Sequence, residues 1–386
     1  MNATTHVTAG SPPARRRRVL LTSTSYPSSP SDWKGLFIAR MTEALGARDD
    51  IQLDTWMPPG PLPGSVASSA GEGDSRWLAA LMQRGGIAHL LRTRPARGAL
   101  ATVGLLLRLR RAYGAAAAEV FHVNWLQNAL PLPRDGRPAL VTALGTDLQL
   151  LRLPVLAPLL RHALRGRRAI VCPNAEWMVP VLQARLGDAA RVAYVPFGID
   201  PGWYRVERGQ ARDGPRRWLC VTRLTTEKLG PLFEWGQPLF DGRGDRELHL
   251  FGPRQEDGID LPPWVHFHGP ATPDSLRTDW FPRATGLITL SRHAEGRPQV
   301  MLEAMAAGLP ILASGLPAHR DIVQHEKTGW LCDDPEAMSR GIQTIEIPAR
   351  NAAMGACARG WAQERIGTWA DCAARYARLY RELLAP

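Results

Sequence analysis

The sequence of 386 residues is long enough for two domains of ordinary size. Its 45% hydrophobic content is typical of a globular protein and excludes a disordered one. The net charge is +11, and the excess lies in residues 1–200, which contain 24 Lys and Arg against 13 Asp and Glu, whereas residues 201–386 contain 23 of each. No aromatic-interleaved basic strand or recognition motif accompanies this charge, so we expect no nucleic-acid partner.

The chain shows no signal for membrane insertion or export. Its longest apolar runs, such as 98–107, are too short to span a bilayer and are closed by arginines. Residues 1–14 are small and polar and are predicted to be disordered. The basic run Arg15–Arg18 precedes only three apolar residues, too few for a signal peptide. We therefore expect a cytoplasmic protein with free cysteine thiols, since the five cysteines lack disulfide-like or metal-like spacing.

Short apolar runs in the first half predict buried parallel strands at 19–23, 51–56, 120–125, 140–144, 169–173 and 192–196. The loop 24–35 follows the first strand and ends at Gly35, where a helix over 36–45 begins. A small-residue loop between a strand and a helix is a common ligand-binding turn. Residues 58–75, rich in Pro, Gly and Ser, predict a mobile surface loop.

Two segments of the first half combine arginine with leucine. Residues 84–118 contain seven arginines and no acid, and residues 148–168 repeat the composition. Helices of this kind lie on anionic bilayer surfaces. The alternative is that they are ordinary surface helices of an arginine-rich chain with only three lysines. We favour contact with the inner face of the cytoplasmic membrane.

The second half begins with a polar linker over 201–215 and continues as strands and helices. Strands are predicted at 218–221, 247–252, 265–269, 286–290 and 311–314, and a final helix at 371–384. Pro298 suits the first position of a helix, and Gly308 with Pro310 ends it. The polar loop before this helix therefore lies at the carboxyl end of a strand and the amino end of a helix, where ligands with anions and hydroxyls bind.

Two carboxylates mark this loop and helix, Glu295 and Glu303. A helical side chain leans toward the helix amino terminus, so Glu303 points back toward the ligand end. A carboxylate accepts two hydrogen bonds from a vicinal diol, which makes a sugar or a ribose a natural partner. The alternative is that Glu303 is a solvated helix residue and Glu295 a charge that pairs with the helix dipole.

The string from Glu295 to Pro310 matches every fixed position of E-G-x-P-x-x-x-x-E-A-M-A-x-G-x-P. It closely resembles the signature of the family 4, GT-B-type retaining glycosyltransferases. Arg223 and Lys228 match the basic residues with which that family holds the donor diphosphate. The resemblance covers about 19–384 and is strongest over 218–335.

The resemblance implies an α/β protein of GT-B fold, with two Rossmann-like doubly wound domains that face a central cleft. It divides the chain into a disordered segment 1–14, an acceptor-binding domain 15–200, a nucleotide-sugar-binding domain 201–368 and a helix 369–386 that crosses back to the first domain. The implied reaction moves a hexosyl-type sugar, with retention of anomeric configuration and without metal or other cofactor, from a nucleotide-diphosphate sugar to an acceptor. A lipid-linked or polysaccharide intermediate of the cell envelope is the expected acceptor.

The same resemblance assigns the site residues. Glu295, Arg223 and Lys228 are the expected catalytic groups, with no metal ligands. The expected donor-binding residues are Gly35, Arg223, Lys228, Phe267, Glu295, Gly296, Arg297, Pro298, Gln299, Val300 and Glu303.

One position departs from the family. Leu144, in Val141–Asp147, occupies the place of a histidine that approaches the donor sugar in many relatives. Leucine makes no hydrogen bond, so either His122 replaces that histidine as a fourth catalytic residue or the donor is a deoxy sugar. The alternative for His122 is a position in the core or facing solvent.

Two other functions stay open at this point, a GT-B-type nucleotide-sugar epimerase and a noncatalytic nucleotide-sugar-binding partner subunit. The joint presence of Glu295, Glu303, Arg223 and Lys228 favours an active transferase. The donor sugar, the base, the linkage and the oligomeric state do not follow from the sequence.

Overall fold

A computed structural model of the protein describes residues 15–29, 32, 34–209 and 214–386. The segment 1–14 and part of the linker 201–215 lie outside the described residues. The described chain alternates strands and helices, a pattern that builds parallel sheets covered by helices on both faces.

The bounds of the elements are as follows. The strands are β1 (Arg17–Thr22), β2 (Ile51–Trp56), β3 (Val66–Ser68), β4 (Val120–Asn124), β5 (Ala139–Ala143), β6 (Ala169–Pro173), β7 (Arg191–Val192), β8 (Arg216–Val221), β9 (Arg246–Phe251), β10 (Val265–Gly269), β11 (Gly286–Thr289), β12 (Ile311–Ser314) and β13 (Gly329–Cys332). The helices are α1 (Leu36–Gly46), α2 (Glu72–Gln83), α3 (Gly86–Thr93), α4 (Pro95–Ala115), α5 (Gly145–Leu150), α6 (Leu156–Leu164), α7 (Val179–Leu186), α8 (Pro201–Tyr204), α9 (Thr226–Leu229), α10 (Leu232–Phe240), α11 (Pro273–Ser275), α12 (Gln299–Ala306), α13 (Pro317–Arg320), α14 (Pro335–Ile345), α15 (Pro348–Arg365) and α16 (Trp369–Leu384).

The first sheet has the strand order β3-β2-β1-β4-β5-β6-β7, with parallel pairing throughout the described strands. Helices α2, α4, α6 and α7 bury leucines against one face, and α1 with α16 covers the other. The chain runs outward in both directions from the neighbouring strands β1 and β4. In doubly wound sheets, the crevice at the carboxyl ends of such a strand pair is the usual ligand site.

The second sheet repeats this architecture with the order β10-β9-β8-β11-β12-β13. Helices α12 and α15 cover one face, and α10 and α14 cover the other. The chain adds strands outward from β8 on one side of the sheet and outward from β11 on the other, and β8 and β11 themselves pair in parallel. The loops that follow these two strands are therefore neighbours in space although about 70 residues separate them in the chain.

Two connections join the parts of the molecule and run side by side. The N–H of Ile199 donates to the carbonyl oxygen of Gly367 at 3.0 Å. After this crossing, α16 returns to the first sheet, where Tyr376 and Tyr380 are fully buried. The last helix of the chain thus belongs to the core of the first domain.

The structure corrects three details of the predicted elements. The segment 58–75 is not a continuous loop, because β3 pairs with β2 and α2 begins at Glu72. Its strand is only three residues long among prolines and glycines, which hid it in the sequence. Pro298 precedes α12 as its N-cap rather than standing inside the first turn. Strand β13, at the edge of the second sheet, was not predicted.

Candidate functional site

The loops after β8 and β11 bring together two predicted site residues. Nζ of Lys228 lies 2.5 Å from Oε1 of Glu295, and the two side chains are only 11% and 14% exposed. Thr225 caps α9 by accepting from the N–H of Lys228 and so fixes where that residue lies. The hydroxyl of Ser291, two residues after β11, donates to the same oxygen of Glu295 at 3.1 Å. A nearly buried ion pair therefore stands at the carboxyl edge of the second sheet.

Arg223 adds a further cation to this place. It is half-buried and donates to Oε1 of Gln255 at 3.2 Å. Burial lowers the pKa of Lys228, the charge and hydrogen bond of Glu295 oppose that shift, and the charge of Arg223 lowers it further. The positions predicted for a diphosphate thus carry two cations and one carboxylate that is already paired.

His319, which the sequence did not single out, lies beside this ion pair. It is fully buried on α13, and its Nδ1 is 3.0 Å from the carbonyl oxygen of Ser314, so Nδ1 carries the hydrogen and donates. Burial lowers the pKa of His319 and the charge of Glu295 opposes the shift, so the ring is neutral. Its Nε2 is then a bare acceptor with no partner among the described residues. A histidine five residues beyond a strand belongs to no motif, which is why it was missed.

Glu303 lies in the second turn of α12 and faces a different group of charges. Burial raises the pKa of its carboxyl to about 8; Asp200 adds to the shift and Arg40 opposes it. Asp200 accepts from the N–H of Gly202 at 2.7 Å and lies 3.7 Å from the guanidinium of Arg40 on α1. Within the described residues no hydrogen bond or ion pair reaches the Glu303 carboxyl. It is therefore available to a hydroxyl-bearing ligand.

Arg297 does not point where the sequence predicted. Its side chain is 2% exposed, pairs with Asp321 and donates to the hydroxyl of Tyr194. Because Asp321 neutralises the guanidinium inside the protein, the side chain of Arg297 is a structural group rather than a free cation at the ligand edge, although its Nε has no partner among the described residues. Only the backbone of this residue stays with the predicted donor loop.

This loop lies against the first domain. The indole N–H of Trp177 donates to the carbonyl oxygen of Gly296 at 2.7 Å, and Asp321 accepts from the backbone N–H of Trp177 at 3.0 Å. A side chain at Gly145, in the turn after β5, would collide with the backbone of Gly296. The two carboxyl edges thus meet directly, through residues of the first domain that the sequence did not mark as contacts.

Other predicted donor residues have separate positions. The side chain of Gln299 donates to the carbonyl oxygen of Gly198 at 3.0 Å, and Val300 packs on the core of the second domain. Phe267, on the edge strand β10, is half-buried beneath the guanidinium of Arg254. Gly35 precedes α1 with φ 73° and lies against Ser25, a conformation and a space that favour glycine.

His122 is a correction. It lies in the middle of β4, fully buried, with Nδ1 2.6 Å from the hydroxyl of Tyr380 and Nε2 2.8 Å from Oγ1 of Thr142. Burial lowers its pKa to about 3. Since α16 covers this face of the sheet, His122 does not reach the cleft and cannot replace the histidine missing at Leu144.

The crevice of the first sheet instead presents Trp125, directly after β4. Its φ of 67° is rare for a residue with a side chain and indicates backbone strain of the kind that clusters at functional sites. The ring is half-buried, with its centroid 6.2 Å from that of Phe37 on α1. This aromatic surface lies where a ligand of the first domain would bind.

The described residues form neither a metal-binding cluster nor a membrane-spanning helix. Among residues 15–29, 32, 34–209 and 214–386, no group of three or more His, Cys, Asp or Glu has a metal-binding arrangement. In the same part of the chain, every helix is too short or too polar to cross a bilayer.

Comparison with known proteins shows a family match over part of the second domain. Residues 219–346, which hold the Lys228–Glu295 pair and α12, match the family described as glycosyl transferases group 1. The chain is 35% identical over 122 residues to a D-inositol 3-phosphate glycosyltransferase of Streptomyces scabiei, and 26% identical over 256 residues to a GDP-mannose-dependent alpha-(1-6)-phosphatidylinositol monomannoside mannosyltransferase of Mycobacterium tuberculosis. These matches cover 30% and 59% of this chain. They span 26% and 66% of the relatives' own lengths, less than two thirds in both cases.

Solved structures show the fold over almost the whole chain. A sucrose-phosphate synthase from Thermosynechococcus elongatus superposes with a TM-score of 0.70 at 18% identity and covers 95% of this chain and 99% of its own. Anabaena HepE, solved in complex with UDP and glucose, superposes with a TM-score of 0.61 at 14% identity, covering 95% of this chain and 100% of its own. The predicted GT-B fold of two facing α/β sheets is confirmed.

Proposed function

We propose, from the match of residues 219–346 to the glycosyl transferases group 1, that this protein is a glycosyltransferase that uses a nucleotide-diphosphate sugar. The reaction moves a hexosyl-type unit, with retention of configuration and without a metal, to a glycan or lipid-linked acceptor. One observation carries this proposal. The carboxyl edge of the second sheet combines a nearly buried lysine–glutamate pair with a glutamate, Glu303, whose carboxyl has no partner among the described residues.

The two carboxylates have different tasks in this proposal. Glu303 binds the ribose diol through two hydrogen bonds, for which its carboxyl is free. Glu295 binds hydroxyls of the donor sugar after Lys228 has moved from it to the diphosphate. Binding of the donor therefore exchanges one ion pair for two ligand contacts.

The chemical step breaks the bond between the anomeric carbon and the diphosphate oxygen and forms a bond from the same face to the acceptor oxygen. The acceptor proton passes to the departing phosphate oxygen. Negative charge grows on that phosphate, so Arg223 and Lys228 stabilise the transition state more than the bound donor. The backbone N–H groups at the start of α12 lie on the same edge and contribute in the same sense.

The first domain binds the acceptor. Trp125 gives its crevice an aromatic face of the kind on which sugar rings stack, and Gly145 allows this edge to approach the donor loop. The mycobacterial relative is named for a phosphatidylinositol monomannoside, and another relative, from Erwinia amylovora, is named for amylovoran biosynthesis. These names support a glycan or lipid-linked acceptor, and we place the reaction at the inner face of the cytoplasmic membrane as part of the proposal.

A panel of nucleotide-sugars tests the proposal. The purified protein is incubated with UDP-, GDP- and dTDP-linked hexoses and their 6-deoxy counterparts, and the products are separated by chromatography. We expect slow release of free sugar and nucleoside diphosphate from one donor, faster with an acceptor glycan, and the same anomeric configuration in product and donor by NMR.

The other two functions give different results in the same assay. A nucleotide-sugar that returns with an inverted ring carbon identifies an epimerase. A donor that binds but stays intact with every acceptor identifies a noncatalytic subunit. Faster turnover of 6-deoxy donors would explain Leu144, since His122 does not.

A further inference from the structure

Large apolar side chains are exposed on the helices α3 and α4 of the first domain. Leu91, Leu100, Val103 and Leu107 are 44%, 73%, 56% and 53% exposed. The last three follow i, i+3, i+7 spacing on α4 and form one stripe on its outer face, opposite the buried Leu109. A contiguous apolar stripe in water marks a binding surface more often than scattered single residues do.

Arginines surround this stripe without acidic partners. Residues 84–118 contain no Asp or Glu. Only Arg108 of this segment pairs with an acid, Asp74, among the described residues. The others are exposed and have no carboxylate partner in the described part of the chain: Arg84, Arg92, Arg94, Arg97, Arg110 and Arg111.

A groove of about 1180 Å³ between α2, α3 and α4 opens beside the stripe. Its lining combines Trp77 and Leu100 with Arg84, Arg94 and Arg97. This groove therefore offers both apolar and positively charged groups to a ligand.

The second arginine-rich segment, 148–168, differs in how its charge is used. Arg161 and Arg165 both bind Asp188, at 3.0 and 2.8 Å. Arg167 donates to the carbonyl oxygens of Ala163 and Arg137. Three of the five arginines of this segment are therefore bound by protein groups, against one of the seven in residues 84–118, although Arg152 and Arg168 and the apolar Leu153, Val155 and Leu159 are exposed there.

We propose that the exposed surface of residues 84–111, formed by Leu91, Leu100, Val103 and Leu107 of α3 and α4 and by the six unpaired arginines, docks on the surface of an anionic phospholipid bilayer. The arginines attract the charged headgroups and the stripe enters the boundary between headgroups and acyl chains. A nucleic acid would match the arginines but would leave the leucines in water, so a bilayer accounts for both halves of the face. The proposal narrows the predicted membrane contact to the first segment and does not depend on the reaction assigned to the cleft.

Vesicle flotation tests the docking without any need for turnover. The protein is mixed with vesicles of phosphatidylcholine alone or of phosphatidylcholine with phosphatidylglycerol as the anionic lipid. We expect flotation with the anionic vesicles only, and release as the salt concentration rises. Equal flotation with neutral vesicles, or none with either, overturns the proposal.

A charge-matched pair of variants locates the surface. Arg94→Gln, Arg97→Gln and Arg111→Gln together remove three charges from the face and should weaken partitioning by about a hundredfold, at about fivefold for each residue. The control removes three exposed arginines elsewhere, Arg340, Arg350 and Arg381. A comparable loss in the control shows that overall charge, not this face, drives binding, and overturns the proposal.

A second pair of variants separates a bilayer from a soluble polyanion. Leu100→Gln with Leu107→Gln should reduce flotation severalfold while leaving the thermal midpoint unchanged, because both residues are exposed. Val181→Gln with Ile347→Gln changes two exposed apolar residues outside the face and should have no effect. Full flotation of the leucine variant, with equal affinity of both forms for heparin, would identify a polyanion site and reject the bilayer.

Discussion

The two edges that meet in the cleft are built from different kinds of group. The second domain presents ionisable side chains, Lys228, Glu295 and Glu303, at the carboxyl ends of its strands and on α12. The first domain presents the aromatic Trp125 and the close approach at Gly145, and its charged groups near Glu303, Arg40 and Asp200, pair with each other. Charged groups at fixed positions bind one kind of ligand, whereas shape and aromatic contact adapt to many.

This difference explains why the sequence predicts the ligand-binding residues of the second domain but not those of the first. A diphosphate, a ribose and a sugar ring need cations and carboxylates at set spacings, and such spacings persist as a motif. An acceptor crevice made of a strained tryptophan and a close glycine contact leaves no such pattern.

The largest effect that we expect comes from the contact between the edges. Asp321→Ala removes the carboxylate that pairs with buried Arg297 and caps the N–H groups of Glu176 and Trp177. The unpaired guanidinium should lower the free energy of unfolding by about 3–5 kcal/mol. Denaturant unfolding measures this change in the free energy of unfolding. The double variant with Arg297→Met should lose less than Asp321→Ala alone, and a loss no larger than that of a surface change would show that the contact is not needed.

Lys228→Ala tests the charged edge. Loss of this cation should reduce turnover by about 10²–10³-fold, or about 2.7–4 kcal/mol of barrier, because phosphate charge grows in the transition state. Arg223→Ala should act in the same direction. Lys327→Ala, at an exposed lysine of the same domain, is the matched control. Steady-state kinetics with unchanged kcat in both basic variants would remove these residues from the site.

Gly145→Ala tests the uncharged edge. The added methyl group meets the backbone of Gly296, so the two edges should no longer close fully. A displacement of about 1 Å can cost about a hundredfold in rate. We expect a fall in kcat of that order with a small change in thermal stability. The control is Gly360→Ala, because a methyl group there meets open space. Gly136→Ala is less suitable, because the positive φ of Gly136 would strain any other residue.

The pKa of Glu303 predicts a pH dependence of donor affinity. The raised pKa, about 8 against an ordinary 4.5, means that the folded protein at neutral pH holds a proton that the unfolded chain has lost. The contribution of this bound proton to the free energy of unfolding is complete below pH 4.5, the ordinary pKa, and is lost as the pH rises through 8. Since the diol needs the carboxylate, the donor should bind more tightly as the pH rises toward 8 and should release a proton.

Calorimetry in buffers of different ionisation enthalpy measures this proton. Glu303→Gln should bind the donor weakly at every pH and release none. Proton release that is unaltered in the glutamine variant would assign the titration to another group, such as His293, which lies near Lys228.

The smallest effect concerns metal. Arg223 and Lys228 supply the positive charge that a divalent cation supplies elsewhere, so EDTA should leave the rate unchanged within error. The assay compares EDTA with added magnesium or manganese. A sharp loss restored by either ion would contradict a metal-independent reaction.

The sequence predicted most strands within two residues because apolar runs in parallel sheets are continuous. It missed β3 and β13, which are edge strands of only three and four residues. It placed Lys228 and Glu295 in one site through the resemblance, and the adjacency of β8 and β11 supplies the physical reason. It misplaced Arg297 and His122 because a polar residue near a strand end looks the same whether it faces a ligand or a buried partner. Only the folded structure brings Asp321 to Arg297 and Tyr380 to His122.

The position of α16 has a consequence for how the protein is made. Tyr376 and Tyr380 complete one face of the first sheet, yet they lie after the whole second domain in the chain. A ribosome delivers residues in order, and domains usually fold in that order during synthesis. Here the first sheet stays partly uncovered until translation has passed residue 380, while the second domain already has helices for both of its faces. The domain that is translated second can therefore finish folding first, and the nascent first sheet needs protection from aggregation until then.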